Sequence, residues 1–321
     1  MYLTTFLGYH HKKGILLNSL TNCIYDVVIV GGGPAGLSAA LLLGRARRRV
    51  LICDDGQYRN AYSKKMHGFL SQDGIDPAEL RQIARKQLQK YPTVEFINVH
   101  VKEVIKNNPG FSLNIQDREI KTKKLLLATG LTDSWPLWPG AEALYGVSIF
   151  HCPYCDAFEH VDQPFAVFGK GDDKTIEYTL ELRLWSKDLI LCLDSPSKLS
   201  DKGREVLKRH HISIYEQKIV RLEGSKGFLE KIVFENGESV ERKVLFFNTL
   251  CRQRSPLASQ LGCVFDKDGG VLTGKYESTH VPGLYVAGDA SRDVLQAIVG
   301  ASEGSCAAYA INSALLKEDL A

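Results

Sequence analysis

The sequence predicts an α/β protein of two layered domains, with the second inserted into the first. Three observations lead to this prediction. A short β-branched strand at Tyr25–Val30 is followed by a glycine turn and an Ala/Leu-rich helix, and the same order recurs from Phe165. Near the end of the chain, the strand Gly283–Ala287 runs into Gly-Asp before a last helix. Because strand, glycine turn and helix in this order are typical of Rossmann-like folds, we expect two three-layer nucleotide-binding domains.

The elements of the first domain follow from local pattern. A helix is expected from Pro34 to about Arg47, and the next strand, Val50–Cys53, ends at Asp54. A helical pattern covers Pro77–Lys90. The remaining strands of this part are expected at Val94–Ile97, Phe111–Ile115 and Lys124–Ala128.

The second domain begins after a link rich in Trp, Pro and Gly at 135–140. Its strands are expected at Phe165–Phe168, Leu189–Leu193, Ile212–Tyr215, Glu230–Phe234 and Val244–Phe247. The chain returns to the first domain from about Ser255. We therefore predict an extension at 1–23, a discontinuous first domain at 24–133 and 252–321, and an inserted domain at 134–251.

Composition limits the class of protein. Hydrophobic residues make up 44% of the chain and charged residues 24%, as in soluble globular proteins. No apolar run reaches the roughly 18 residues that a membrane-spanning helix needs, and a net charge of +3 indicates neither a nucleic-acid nor a membrane partner. Eight cysteines are too few for a disulfide scaffold, and the N-terminal segment lacks a signal-peptide cleavage pattern. We expect a cytoplasmic protein.

The first glycine turn has the sequence Gly-Gly-Gly-Pro-Ala-Gly at positions 31–36. Gly31 allows the tight turn, Gly33 lets the backbone approach a pyrophosphate, and Gly36 lets the helix pack closely on the strand. The free N–H groups at the helix N-terminus favour the negative phosphates. Asp54 ends the next strand, where a carboxylate can bind a ribose hydroxyl. The alternative is a purely structural glycine turn.

A second motif is Cys152-Pro153-Tyr154-Cys155, followed directly by Asp156. Two thiols at this spacing can close a disulfide, and a lowered pKa lets one of them attack as a thiolate. The alternatives are half of a zinc site or an inert pair. Zinc would need two more ligands. The other close pairs are the histidines at 10–11 and 210–211, and the side chains of adjacent residues tend to diverge. We therefore favour redox chemistry without a metal.

Together, the glycine turn, the Ala-Thr-Gly at 128–130, the cysteine motif and the Gly-Leu-Tyr-Val-Ala-Gly-Asp-Ala-Ser at 283–291 resemble the low-molecular-weight thioredoxin reductase family. This is a class of FAD- and NAD(P)-linked pyridine nucleotide-disulfide oxidoreductases. Order and spacing fit across about residues 24–317. The resemblance implies FAD in the first domain, a smaller nicotinamide-type domain that carries the cysteine pair, and a homodimer.

The resemblance also implies roles for single residues. Cys155 would lie against the flavin, Cys152 would attack the substrate disulfide, and Asp156 would carry the proton. Asp289 would bind the ribityl chain, and the N–H groups of residues 297 and 298 would face the flavin pyrimidine edge. The residues assigned to FAD in this way are Gly31, Gly33, Pro34, Ala35, Gly36, Asp54, Gly130, Gly288, Asp289, Gln296, Ala297 and Ile298.

Three further segments are similar to a divergent bacterial and fungal branch that includes dithiol oxidases of the gliotoxin type. They are the Cys-Pro-Tyr-Cys motif, the His-Gly-Phe-Leu at 67–70 and the Gln-Arg-Ser-Pro-Leu-Ala at 253–258. In such a branch His67 and His151 are candidates to deprotonate a thiol. An isolated histidine is also a common structural residue.

The second glycine turn, Gly169–Lys174, departs from the family pattern. Asp173 and Lys174 replace two small residues of the NADPH site, and a like-charge contact at about 4 Å costs on the order of 4 kcal/mol at an effective dielectric near 20. The arginine fork that grips the 2′-phosphate is replaced by Leu-Asp-Ser-Pro at 193–196, in which Asp194 could hold an NADH hydroxyl. A nicotinamide donor is therefore doubtful, and ferredoxin or another non-nicotinamide carrier is the alternative.

The sequence thus predicts an FAD-dependent thiol–disulfide oxidoreductase. It would pass electrons between the flavin, the cysteine pair and a thioredoxin-like protein or a small disulfide or dithiol. Two alternatives stay open: a dithiol oxidase that uses oxygen, and a non-catalytic flavoprotein redox sensor.

Overall fold

The computed structural model describes residues 24–116, 118–134, 137–193, 198–247, 251–292 and 294–321. The predicted extension 1–23 lies outside these residues, as do Asp194 and part of the 135–140 link.

The first part of the chain forms a mixed sheet with two helices. Its six strands are β1 (Tyr25–Val30), β2 (Val50–Asp54), β3 (Val94–Asn98), β4 (Val104–Lys106), β5 (Phe111–Ile115) and β6 (Arg118–Leu127). Its helices are α1 (Pro34–Arg45) and α2 (Pro77–Leu88). Asp76 is the N-cap of α2: its carboxylate accepts hydrogen bonds from the N–H groups of Ala78 (2.6 Å) and Glu79 (3.3 Å).

The chain then enters a second unit of the fold through the short strand β7 (Leu131–Asp133). The strands of this unit are β8 (Ile149–Phe150), β9 (Phe165–Gly169), β10 (Leu189–Leu193), β11 (Ser213–Tyr215), β12 (Ile219–Ser225), β13 (Phe228–Phe234), β14 (Ser239–Glu241) and β15 (Val244–Phe247). Its helices are α3 (Ala141–Leu144), α4 (Pro153–Asp156), α5 (Asp173–Glu181) and α6 (Asp201–Arg209). The strand order β11-β10-β9-β15-β8 is parallel throughout, and β12-β13-β14 form a separate antiparallel sheet.

The last part of the chain returns to the first sheet. It contains β16 (Cys251–Gln253), α7 (Leu257–Gln260), β17 (Leu284–Val286) and α8 (Ala297–Asp319). β17 pairs with β6 and completes a seven-stranded sheet that otherwise runs β3-β2-β1-β6-β5-β4. We call the part around this sheet the first lobe and residues 137–247 the second lobe. The two crossings between them pair as antiparallel strands, with Cys251 opposite Asp133.

Each lobe has three layers, and the central strands are buried because other elements cover both faces of the sheet. In β1, Val27 and Ile29 face a core shared with α1 and α8, while Val28 and Val30 face a core formed with β4, β5 and α7. In the second lobe, α5 and α6 cover one face and the antiparallel sheet covers the other. The α1–α8 contact is close, since a Cβ at Gly304 would lie 1.9 Å from the Ala35 carbonyl oxygen.

The predicted fold class is confirmed: two Rossmann-like lobes, with the second inserted into the first. The element limits differ at several places. β6 begins six residues before the predicted strand, because its first half pairs antiparallel with β5. β4, β8, β14 and the β7–β16 pair were not predicted, since strands of two or three residues carry little periodicity. The seven-residue β12 was not predicted either, because its buried residues, Ile219 and Leu222, lie three positions apart and do not alternate. Among the described helices, none is both long and apolar enough to cross a membrane.

Candidate functional site

A cleft opens between the lobes at the C-terminal ends of β1, β2 and β6. Parallel strands place their C-terminal ends at one edge of a sheet, where ligands of such folds bind. Of the fifteen predicted site residues, all but Gly36 and Ile298 line the cleft. The structure therefore brings the first glycine turn, the Gly-Asp at the end of β17 and the cysteine pair to one site, although they lie far apart in sequence.

The glycine turn has the geometry that the sequence predicts. Gly31 has φ +111°, and a Cβ there would lie 2.2 Å from the Ala128 carbonyl oxygen. A Cβ at Gly36 would lie 2.0 Å from the Gly31 carbonyl oxygen, so this glycine serves packing and does not face the cleft. A Cβ at Gly33 would meet no atom within 4 Å. No side chain caps the N-terminus of α1, which leaves its first N–H groups directed at the cleft.

Asp54 lies in the cleft wall and is only 3% exposed. Its carboxylate accepts hydrogen bonds from the Gly32 N–H (3.0 Å) and from Arg85 Nη2 (2.6 Å), and it also contacts the Tyr58 hydroxyl. Burial and this contact raise the pKa of Tyr58 to about 12. The carboxylate thus orients the glycine turn. Tyr58 and Arg85 belong to no recognisable motif, so the sequence did not indicate either of them.

A second charged group lies where β17 ends. Arg59 donates to both carboxylate oxygens of Asp133, at 2.8 and 2.6 Å, and its third nitrogen lies 3.3 Å from Asp289 Oδ2. Burial raises the pKa of Asp289, and Arg59 opposes this shift. The same Asp133 accepts a hydrogen bond from the Cys251 thiol at 3.1 Å. Arg59 therefore joins the Gly-Asp turn to the strand pair between the lobes, which no sequence motif indicated.

The cysteine pair lies at the C-terminal end of β8. Cys152 precedes α4, Pro153 takes the first helical position, and the Cα atoms of Cys152 and Cys155 are 5.3 Å apart in a closed disulfide. Both cysteines are half-buried and line the cleft together with Asp156. Burial raises the pKa of Asp156 to about 7; the charge of Glu159 adds to this shift and His67 opposes it. A carboxyl that titrates near neutral pH can both give and accept a proton.

Replacing Asp156 by Asn should change how stability depends on pH. The folded protein keeps the Asp156 proton up to about pH 7, whereas an unfolded Asp releases it near pH 4, so stability falls as the pH rises between these values. Asn cannot lose a proton, so its stability lacks this pH dependence. When the pH is raised from 4.5 to 8, we expect the free energy of unfolding of Asp156→Asn to increase by about 2 to 4 kcal/mol relative to that of the parent. Urea unfolding at both pH values measures this difference. The exposed carboxylate variant Glu177→Gln is the control, and an equal pH dependence in parent and Asp156→Asn would contradict the assignment.

The two candidate histidines have different surroundings. His151 is half-buried and directly precedes Cys152, and its burial lowers its pKa to about 4, so its imidazole is neutral near pH 7. Its Nδ1 lies 3.3 Å from the Tyr145 hydroxyl. His67 lies between two carboxylates, with Nδ1 3.4 Å from Asp73 Oδ2 and Nε2 3.3 Å from Glu159 Oε1. Both histidines line the cleft.

The second glycine turn is already occupied by side chains of the chain itself. The Asp172 carboxylate accepts hydrogen bonds from the Thr175 N–H (2.9 Å) and hydroxyl (2.7 Å), which caps α5 where a pyrophosphate would bind. Lys174 forms an ion pair across the lobes with Asp268, at 2.7 Å. The unprotected helix start seen at α1 is therefore not repeated at α5. The predicted Asp194 alternative lies outside the described residues.

Known proteins resemble this chain over most of its length. The sequence pattern of the family described as pyridine nucleotide-disulphide oxidoreductase matches residues 25–304. The probable thioredoxin reductase of Arthroderma benhamiae is 31% identical over 302 residues, which cover 84% of this chain and 74% of that protein. Thioredoxin reductase tcpT of Claviceps purpurea is 30% identical over 284 residues, covering 84% and 87%. The crystal structure of HlmI superimposes with a TM-score of 0.85 at 33% identity, over 92% of this chain and 94% of that one.

Proposed function

Because this chain belongs to the pyridine nucleotide-disulphide oxidoreductase family and is a thioredoxin reductase-like member of it, we propose that it is an FAD-dependent thiol–disulfide oxidoreductase. One observation carries the proposal: the Cys152–Cys155 disulfide lines the same cleft as the uncapped glycine turn of α1. FAD, when bound, accepts or supplies the two electrons that a dithiol–disulfide conversion requires.

The residues of the first lobe fit FAD. Gly33 and Gly130 have no protein atom within 4 Å of an added Cβ, so both leave room for a ligand against the backbone. The α1 N-terminus supplies donors for the pyrophosphate. Arg85 and Tyr58 already contact the Asp54 carboxylate, which leaves it fewer free acceptor positions for the adenosine end of FAD than a lone carboxylate would have. We retain as proposals the twelve residues named for FAD and the roles of Cys152, Cys155 and Asp156.

The exchange step follows from thiol chemistry. In the reduced protein the Cys152 thiolate attacks a substrate disulfide, which forms a mixed disulfide and releases one substrate thiol. Cys155 then attacks Cys152 sulfur, closes the protein disulfide and releases the second thiol. Asp156 supplies the proton that a leaving thiolate takes up. The reverse sequence oxidises a dithiol, so the same residues serve both directions.

We propose further that the electrons do not come from a nicotinamide. The carboxylate of Asp173 in the first turn of α5 and the Lys174–Asp268 ion pair support this proposal, because they oppose docking of a pyrophosphate. Ferredoxin or another carrier would then supply electrons, or a dithiol would supply them and oxygen would accept them.

Anaerobic titration of the purified protein tests the donor. One equivalent of NADPH, or of NADH, should leave the flavin absorbance near 450 nm within about 10% of its starting value. Dithiothreitol should bleach it, since the disulfide accepts electrons from a dithiol. Dithionite is the control that defines full reduction. Rapid bleaching by either nicotinamide would overturn the proposal about the donor and leave the redox role of the cysteines standing.

The remaining proposals concern partners and assembly. The names of the relatives, thioredoxin reductases, support a thioredoxin-like protein as substrate, and the open cleft beside the disulfide also admits a small disulfide or dithiol. The family resemblance supports a homodimer, and the sparse cysteines support a cytoplasmic location. We also propose the domain limits 24–133 with 252–321, and 134–251, since β7 and β16 mark the two crossings.

A further inference from the structure

The loop between β2 and α2 presents His67 to the second lobe. The Met66 N–H donates to the Ile75 carbonyl at 2.8 Å, which closes residues 66–75 into a compact loop. Within it, the Gly68 N–H donates to Asp73 Oδ1 at 2.8 Å, and the other carboxylate oxygen faces His67 Nδ1. These hydrogen bonds lower the pKa of Asp73 and keep it an anion. The orientation of the His67 ring is thus set by its own loop.

The opposite edge of this ring contacts the other lobe. His67 Nε2 lies 3.3 Å from Glu159 Oε1, on the turn that directly continues α4. Earlier in the segment between β2 and α2, Tyr62 packs edge-on against Tyr145 of the second lobe, with ring centroids 5.3 Å apart. The His67 ring is only 18% exposed, so the contact is partly shielded from water. His67 therefore contacts a carboxylate from each lobe, Asp73 and Glu159. Glu159 lies three residues beyond Asp156.

The position of this contact matters for Asp156. The charged groups that act on the half-buried Asp156 carboxyl are Glu159, which raises its pKa, and His67, which lowers it. Tyr178 and Tyr145 are also affected by it: burial raises the pKa of both hydroxyls, and the charge of Asp156 adds to each shift. Of these groups only His67 comes from the first lobe. Its effect therefore depends on how the cysteine-bearing segment sits over the cleft.

We propose that His67 is a positioning residue: through its contact with Glu159 it holds the segment that follows the cysteine pair against the first lobe, with the disulfide over the cleft. This assigns His67 to the orientation of the redox segment and not to removal of a proton from a thiol. Its influence on Asp156 rests on the proposed function, whereas the positioning itself does not.

Backbone hydrogen exchange of the full-length protein as purified tests the positioning. We expect His67→Ala and Glu159→Gln each to speed exchange of the amides at 155–160 at least about threefold, and the double variant to do no more than either alone. Amides of β10 should exchange at the parental rate, because the effect is local. His211→Ala, an exposed histidine far from the cleft, is the matched control. Parental exchange at 155–160 in His67→Ala, or an equal increase in β10, would overturn the proposal.

A second readout separates this inference from the proposed function. The pH midpoint of flavin reduction by dithiothreitol should rise by about 0.5 unit in His67→Ala and fall by a similar amount in Glu159→Gln. An unmoved midpoint in both variants would overturn the link between His67 and Asp156. If dithiothreitol fails to reduce the flavin of the parent protein, the proposed function fails, and the exchange data still decide whether His67 holds the segment.

Discussion

Replacing Cys152 by serine is expected to lower disulfide turnover by at least about 10³-fold, as removal of a catalytic nucleophile does. A serine hydroxyl stays protonated and cannot form a disulfide, so electrons would reach no substrate. The flavin should remain bound and reducible by dithionite, because the cleft is otherwise unchanged. The measurement is steady-state reduction of a disulfide, or oxidation of a dithiol, with the flavin content of each sample determined from its absorbance.

The neighbouring cysteine distinguishes the two roles. Cys155→Ser should also abolish turnover but should accumulate a mixed disulfide between Cys152 and the substrate, which mass spectrometry detects. Cys306→Ser removes a partly buried thiol on α8 and serves as the control with parental activity. Parental turnover in Cys152→Ser would show that another group attacks the substrate. A mixed disulfide in Cys152→Ser but not in Cys155→Ser would reverse the assignment.

Gly33→Ala is expected to weaken FAD binding by roughly 10- to 100-fold with little loss of stability of the flavin-free protein. Gly33 has φ −78°, which alanine adopts without strain, and an added Cβ meets no protein atom within 4 Å. The methyl group would instead occupy space that the pyrophosphate needs above the α1 N-terminus. Flavin titration of the apoprotein measures the affinity, and thermal unfolding of the apoprotein measures the stability.

Two other glycines give the comparison its controls. Gly31→Ala should destabilise the flavin-free protein by about 2 to 5 kcal/mol, because of its positive φ and the 2.2 Å approach to the Ala128 carbonyl oxygen. Gly274→Ala, at an exposed position with ordinary φ and no contact under 3.6 Å, should change neither quantity. Undiminished flavin affinity in Gly33→Ala would place the pyrophosphate elsewhere.

The motifs that line the cleft were predictable because each of them depends on residues close together in sequence. The β1–turn–α1 unit is such a case: a β-branched strand, glycines at fixed spacing and a Pro-led helix determine one another locally. The cysteine pair is another, since two intervening residues are enough to close the disulfide. The order of these units along the chain then indicated the insertion.

The contacts among the charged side chains around the cleft were not predictable. Asp54, for example, was expected to bind a ribose hydroxyl, and the structure shows that Arg85 and Tyr58 also contact its carboxylate. The antiparallel half of β6 was missed for a related reason. Its partner β5 has five residues, and the pairing of so short a strand is decided by the whole sheet and not by its own sequence.

The sequence by itself determined the two Rossmann-like lobes, the glycine turn that faces the cleft and the redox pair, because local backbone preferences and fixed spacings decide these features. Only the tertiary structure decided that Arg59 joins Asp133 to Asp289, and that His67 reaches Glu159 across the lobes. The physical reason is that such contacts join residues far apart in sequence. They form when packing of the two lobes brings the side chains within a few ångströms, and no local pattern records that packing.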